Sequence, residues 1–467
     1  MNGQNTLRGK KRFDWAMLGV IFTLAWPTML EELMQTAVQY IDTAMVGALG
    51  TQATAAVGAT STVNWLILGT VSAIGIGFLA IISQANGAGD TQKARRAAAQ
   101  AVSVTVLLGV ALTAALTAVS FRVPVWMQAD PAIRDLAGRY FLIVYAPMLF
   151  RTASIVFGTI LRAVGDTKTP MRVGIGMNVT NVVLNYLLIF PGRTISVFGA
   201  AVPMWGAGWG VEGAAAASAA SYVVGGVAIT VAMWRHEAVS PKGMSFKPDR
   251  EILGPCFRIT VPNMLQRFGT SLGYVVFAAM INALGEVSAA AHTVANTVES
   301  AFYIPGYGMQ AAAGTLSGNA FGAGDREKLK SLGRTIIPLE VGLMVISGGL
   351  LFFLAEPLVR IFSRDPEVIA LGARVLRMVA VSEPFYGVPI VVEGLMQGVG
   401  KTVAPLVFNL SGMWCVRIVG TFICTRLLGM GLVSAWACMI GHNLLLFVLF
   451  GIYYLTGRWN PMKEKRS

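Results

Sequence analysis

Gly87-Ala88-Gly89-Asp90 returns unchanged as Gly322-Ala323-Gly324-Asp325, 235 residues further along the chain. The same offset carries Pro27-Thr-Met-Leu30 onto Pro262-Asn-Met-Leu265 and Ala48-Leu-Gly50 onto Ala283-Leu-Gly285. It also carries Gly165, Thr167 and Pro170 onto Gly400, Thr402 and Pro405. Biased composition can produce one such match. Four separated blocks in one gapless register mark two copies of a single unit.

Between these blocks lie apolar stretches of about 20 residues, the length that crosses a hydrocarbon core of ~30 Å. They recur about twelve times, centred near residues 28, 68, 107, 147, 180, 223, 264, 298, 343, 382, 415 and 444. Each copy therefore holds six, and an even number returns the chain to the side it started from. The expected fold is an all-α integral membrane protein with twelve transmembrane helices in two parallel six-helix repeats. The repeats are related by an axis along the membrane normal, with a substrate path between them. The expected division is a first lobe over 1–235, a cytoplasmic linker over 236–250 and a second lobe over 251–467.

Composition agrees. Of 467 residues only 13% are charged and 55% are hydrophobic, with a mean hydropathy of +0.64. Such a chain cannot cover itself with polar groups in water. A soluble enzyme, a disordered scaffold and a disulfide-stapled secreted domain are excluded, and the absence of strand alternation argues against a β-barrel.

The net charge of +13 is distributed as topology requires. One set of loops carries 24 Lys and Arg, the opposite set 9, and Arg151, Arg267 and Arg417 fall inside spans. The positive-inside rule places both termini in the cytoplasm. The basic Arg8–Arg12 cluster precedes a run with no small-residue cleavage site, so the first span is read as uncleaved. No aromatic-interleaved basic tract points to nucleic acid. The four cysteines read as buried small hydrophobes. Gly400-Lys-Thr402 mimics a phosphate loop, but the required upstream glycine is Leu395. Without a nucleophile–base pair, a histidine cluster or an ATPase domain, the protein reads as no enzyme, and its energy comes from an ion gradient or it is passive.

Ionisable groups inside spans are functional candidates by default. Glu31, Gln35 and Asp42 share one face of the first span, beside Glu32 and Gln39. Asn178, Asn181 and Asn185 share a face of the fifth. Amide oxygens beside a carboxylate can hold a hard cation or bond a protonated acid; amides can equally glue two helices. At the 235 offset Asp42 answers Phe277, Asn181 answers Val416 and Asn185 answers Gly420. Ion coupling is thus expected in the first half, at Asp42, Asn178, Asn181 and Asn185. Glu31 answers Gln266, polar in both halves. The substrate cavity is assigned Glu31, Gln35, Gln266, Glu299 and Glu393, where the acids could instead pair with Arg151, Arg267 or Arg417. Glu340 reads as structural. Beyond the fifth span the register slips: Gly210 answers Gly431, leaving about 14 extra residues within 191–209, a passive loop or an external lid.

The chain resembles the MATE (multidrug and toxic compound extrusion) family over nearly its whole length. The resemblance rests on Pro27 with Glu31, Asp42-Thr-Ala-Met-Val-Gly47, Gly87-Ala-Gly-Asp90 and Leu161-Arg-Ala-Val-Gly-Asp-Thr-Lys-Thr-Pro170. Asn181-Val-Val-Leu-Asn185, Glu299 before Pro305-Gly306, and Gly398-Val-Gly-Lys-Thr402 extend it. It implies an antiporter that exports cationic or amphipathic compounds against inward Na⁺ or H⁺, with Asp42 as the coupling acid and Asn181 as the fifth-span asparagine. The chain departs from some members at Asn185, Thr270 and Tyr386, where those carry acids.

These readings lead to multidrug efflux by alternating access, as a monomer in the cell inner (plasma) membrane, acting on small organic cations amid membrane lipid. No cofactor is expected. A lone carboxylate in an apolar lobe is cheaper to bury when protonated, which favours H⁺ over a weak Na⁺ site at Asp42 and Asn181. The alternative functions are a lipid-linked sugar flippase, which needs Arg151, Arg267 and Arg417 unpaired along the cleft, and a passive channel.

Overall fold

A computed structural model describes residues 15–197 and 200–462; the Arg8–Arg12 cluster and the basic residues after Met462 lie outside them. The helices form twelve spans. The first six are α1 (Trp15–Gly47), α2 (Thr51–Gly87), α3 (Thr91–Val119), α4 (Pro131–Tyr145 with Met148–Ala163), α5 (Lys168–Leu188) and α6 (Gly210–Arg235). The second six are α7 (Arg250–Asn282), α8 (Glu286–Phe302 with Ile304–Gly322), α9 (Arg326–Phe362), α10 (Pro366–Ala380 with Glu383–Gly398), α11 (Val403–Leu427) and α12 (Leu432–Leu455). Eight are individually long and apolar enough to cross a membrane. The two parts of α4 and of α10 do so together despite bends of 49° and 57°. Asparagine-rich α5 and interrupted α8 complete the twelve.

The 235 offset reappears in the backbone. It superimposes the bounds of α1 on α7, of α2 on α8, and of Met148–Ala163 on Glu383–Gly398. The repeated motifs are the punctuation between helices. Gly50 and Gly285 have φ of 110° and 105°, Gly89 and Gly324 of 72° and 67°, Gly165 and Gly400 of 89° and 82°. These are backbone states that side chains resist. Asp90 caps α3 by accepting from the Lys93 N–H at 2.8 Å, and Asp325 caps α9 from Lys328 at 2.9 Å.

The halves differ in several places. The extra residues of the first half form an antiparallel hairpin, β1 (Pro191–Val197) and β2 (Ala200–Ala207), with a register shift between Pro191 and Arg193. No strand was expected there. Secondly, α2 is continuous where α8 is interrupted at Tyr303. Thirdly, Gly412–Ile418 and Ile423–Leu427 of α11 wind as π-helix, whereas α5 is regular.

The two cores exchange helix ends. Met17, Ile21 and Ala25 at the start of α1 pack into the core of the second half, with Leu316, Leu332 and Leu395. Ile252, Cys256 and Ile259 at the start of α7 pack into the core of the first, with Phe78, Ala97 and Ile160. Only Cys256 of the four cysteines is buried; Cys415 is exposed, and the Cys424 and Cys438 sulfurs lie 3.9 Å apart.

The connecting segment is strapped to α3. Arg95 donates to the carbonyls of Ser240 (2.9 Å) and Lys242 (2.7 Å), Gln100 to that of Lys247 (2.8 Å), and Arg96 pairs with Asp249 at 2.5 Å. At this same basic end the halves touch where α2 crosses α8.

Candidate functional site

Asp42 lies near the end of α1 away from the basic loops. Its carboxylate accepts from the amide of Asn185 on α5. The same Asn185 amide donates to Asn181 Oδ1 at 3.0 Å, and the Asn181 amide donates to Ser218 Oγ on α6 at 3.2 Å. Asn181 and Asn185 are 5% and 1% exposed, which makes this a chain of buried amides ending on one half-buried acid. The i, i+4 spacing on a regular helix stacks the two asparagines on the face α1 covers. Asn178, one turn away, is half-buried and makes none of these bonds. Among the described residues no cation pairs with Asp42. Its counterpart Phe277 is buried beneath the Arg417 guanidinium, 4.1 Å from the ring centroid, and beside His292.

Glu31 lies eleven residues earlier, roughly 16 Å along the helix axis. Here the expected cavity face breaks up. Glu31 pairs with Arg162 at 2.6 Å, both side chains under a fifth exposed. Arg162, counted in the sequence as a loop residue, sits in the last turn of α4. Gln35 of that face is exposed, as is Gln39 one turn on.

The second half places amides at the matching positions. Gln266 and Gln397, the counterparts of Glu31 and Arg162, both donate to Glu393 Oε1, at 2.9 and 3.0 Å. Asn409 donates to Oε2 at 3.1 Å. In the first half the positions of Glu393 and Asn409 are Gly158 and Gly174, and the space is taken by the Glu31–Arg162 pair. One pocket of the repeat thus holds an ion pair in one copy and an amide-caged carboxylate in the other.

A third group joins Glu299, assigned to the substrate cavity, to partners that were not foreseen. Glu299 accepts from the Tyr303 hydroxyl one turn on. The Tyr303 ring lies 5.3 Å from that of Tyr386. Glu383 is within electrostatic range of Glu299. Glu340 and Glu383 are 0% and 1% exposed, and neither carboxylate has a hydrogen-bond partner among the described residues. Glu340, read as structural, is packed between Gly306 and Gly387. Sequence spacing could not bring Glu299 of α8 and Glu383 of α10 together.

Arg151, Arg267 and Arg417 pair with no acid among the described residues, contrary to the alternative reading of them. Arg151 lies over Tyr222 at 4.6 Å, Arg417 over Phe277 and Tyr274, and Arg267 donates to Asn263 at 3.1 Å. Among the described residues no three His, Cys, Asp or Glu side chains gather as metal ligands.

Comparison with known proteins accords with this architecture. A family model described as MatE matches residues 27–187 and 262–423, two stretches whose starts are 235 residues apart. The chain is 29% identical to the probable multidrug resistance protein NorM of Thermotoga maritima, with 96% of this chain and 93% of that one covered. It is 24% identical to the multidrug resistance protein PmpM of Pseudomonas aeruginosa, with 86% and 83% covered. The structure of an outward-facing multidrug resistance MATE family transporter shares the fold, with a TM-score of 0.84 at 23% identity and 98% of each chain covered.

Proposed function

The chain belongs to the MatE family of integral membrane transporters, and from that premise we propose that it exports cationic or amphipathic organic compounds in exchange for protons, by alternating access. It is a transporter and not an enzyme. The related NorM and PmpM proteins carry multidrug resistance names, which supports multidrug efflux. The 24-to-9 distribution of basic residues supports a plasma-membrane protein with both termini in the cytoplasm.

The observation that carries the coupling assignment is the unpaired Asp42 at the end of the Asn185–Asn181–Ser218 chain. Even a half-buried carboxylate without a cationic partner is costly to keep charged in an apolar lobe, and a proton removes that cost. Asn185 meets Asp42 through its amide N–H. Loading a proton when the site faces outward, and losing it when the site faces the cytoplasm, ties the protonation of one group to the direction of opening. Glu299 and the rings of Tyr303 and Tyr386 are the groups we assign to organic cations in the second half.

Reconstituted protein is expected to export a cationic dye under a pH gradient with no Na⁺ present. Export that requires a Na⁺ gradient and ignores pH overturns the proton assignment. The flippase reading is disfavoured, because two of the three arginines it needs, Arg151 and Arg417, are buried within their halves against aromatic rings, leaving only Arg267 half-buried.

A further inference from the structure

The hairpin found in only one half covers a groove. Ile41 and Met45 of α1, Val182 and Tyr186 of α5, Phe190, and Met204 of β2 line a cavity of about 690 Å³ with no charged side chain in its wall. That is the size of a small-molecule site. Val179 and Val183, both more than half exposed, continue the apolar surface along α5. Trp205 in β2 and Trp209 just after it are also more than half exposed, as the aromatic residues of a membrane-interface belt are. The groove therefore opens on the bilayer, in the leaflet away from the basic loops.

Arg193 stands at its mouth. It follows the register shift in β1, the kind of irregularity that re-aims a side chain. Its guanidinium lies over Tyr186 at 4.0 Å and over Phe190 at 4.4 Å, two of the groove's own walls. No acid pairs with it among the described residues, and its Nη2 is buried without an acceptor. A guanidinium stacked on aromatic rings still carries its planar fork of donors, and that fork, here with one donor unsatisfied, matches a phosphate.

We propose that this groove binds an anionic phospholipid, with the phosphate on Arg193 and an acyl chain between α1 and α5. A long apolar slot ended by one unsatisfied cation fits an amphiphile whose head is negative, and fits poorly the organic cations that the transport reading assigns to the cleft. Ile41 and Met45 flank Asp42 on the same turns of α1, so an occupied groove braces the helix that carries the coupling acid.

The test uses the full-length protein in detergent with dioctanoyl phosphatidylglycerol or dioctanoyl phosphatidylcholine, and native mass spectrometry to count retained lipid. Wild type is expected to retain the anionic lipid roughly tenfold better than the zwitterionic one, as one charge-assisted contact allows. Arg193→Gln should erase that preference and leave phosphatidylcholine retention unchanged, whereas Arg193→Lys should keep part of it. Ala44→Trp, which fills the slot, should lower retention of both. Size-exclusion profiles check that each variant is folded. Equal retention of both lipids by wild type overturns the proposal, as does an unchanged preference in Arg193→Gln. Displacement of the lipid by an equimolar cationic dye also overturns it, by assigning the groove to a transported compound. The readout is lipid retention, so the result is independent of the coupling ion.

Discussion

Gln84 and Asn319 occupy the same position of the two repeats, and each donates its amide into the other half. Gln84 bonds the carbonyl of Gly398 at 2.9 Å, and Asn319 bonds that of Ala163 at 3.3 Å, two acceptors that are again 235 residues apart. Asn86 adds a bond to Asn319 at 2.6 Å, and Thr315 one to the Arg162 carbonyl at 3.0 Å. The crossing is close enough that a Cβ on Gly87 would collide with the Asn319 backbone, and one on Gly322 with that of Gln84. This contact closes the basic end.

The double variant Gly87→Ala/Gly322→Ala should push the two helices apart there. Dye export is expected to fall at least tenfold with normal amounts of protein in the membrane. A cysteine at Ser83, otherwise fully buried, should become reactive to maleimide. Wild-type export by the double variant would mean that closure does not depend on this contact.

Asp42→Asn should abolish export driven by a pH gradient and leave dye binding intact, because the amide is nearly isosteric but carries no proton load. Phe277→Leu changes the matching position in the second half. It should cost about 1 kcal/mol of stability and leave the pH dependence of export in place. Flux and thermal unfolding measured together separate the two; equal losses of coupling end the claim that it resides in the first half.

The Glu31–Arg162 pair offers a rescue experiment. Arg162→Ala strands a largely buried carboxylate and should destabilise the protein by roughly 3 kcal/mol. Glu31→Gln/Arg162→Gln installs the residues that the second half uses at Gln266 and Gln397, and should recover most of that loss. Unfolding midpoints in detergent give the comparison, and a double variant as unstable as the single one removes the basis for treating the two pockets as equivalent.

Outside the membrane, Arg96 holds the Asp249 carboxyl below its ordinary range by hydrogen bond and charge. A carboxyl lowered in the folded state anchors the linker at every pH above its unfolded value, near about 4. The anchoring is lost only as the pH falls through the lower, folded value. Hydrogen exchange across residues 236–249 should therefore show constant protection, once corrected for intrinsic rates, from pH 8 to 5. Arg96→Ala should lower it throughout and speed tryptic cleavage at Lys242 and Lys247.

The repeat made the fold legible, because its motifs are helix ends: Gly89 and Gly324 must turn left-handed, and Asp90 and Asp325 must cap. Asp42 with Asn181 and Asn185 was legible because helical periodicity brings them to facing sides of adjacent helices. Arg162 was missed because a charged residue beside a turn counts as a loop residue until its partner on α1 is seen. The Glu299–Tyr303–Glu383 group was missed because no spacing rule links α8 to α10. The hairpin was visible only as a length difference, since Gly and Pro hid its strands.

The exchange of helix ends between the two cores bears on how the protein is made. When the ribosome has released α6, the first half still lacks Ile252, Cys256 and Ile259, which complete its interior. At about 5–20 residues per second those residues follow within a few seconds. Until then, the surface of α2 that receives them must wait in lipid or against another protein. The second half faces the reverse situation, since its missing piece, the start of α1, was inserted before any of its own helices. Neither half completes its core from its own helices alone.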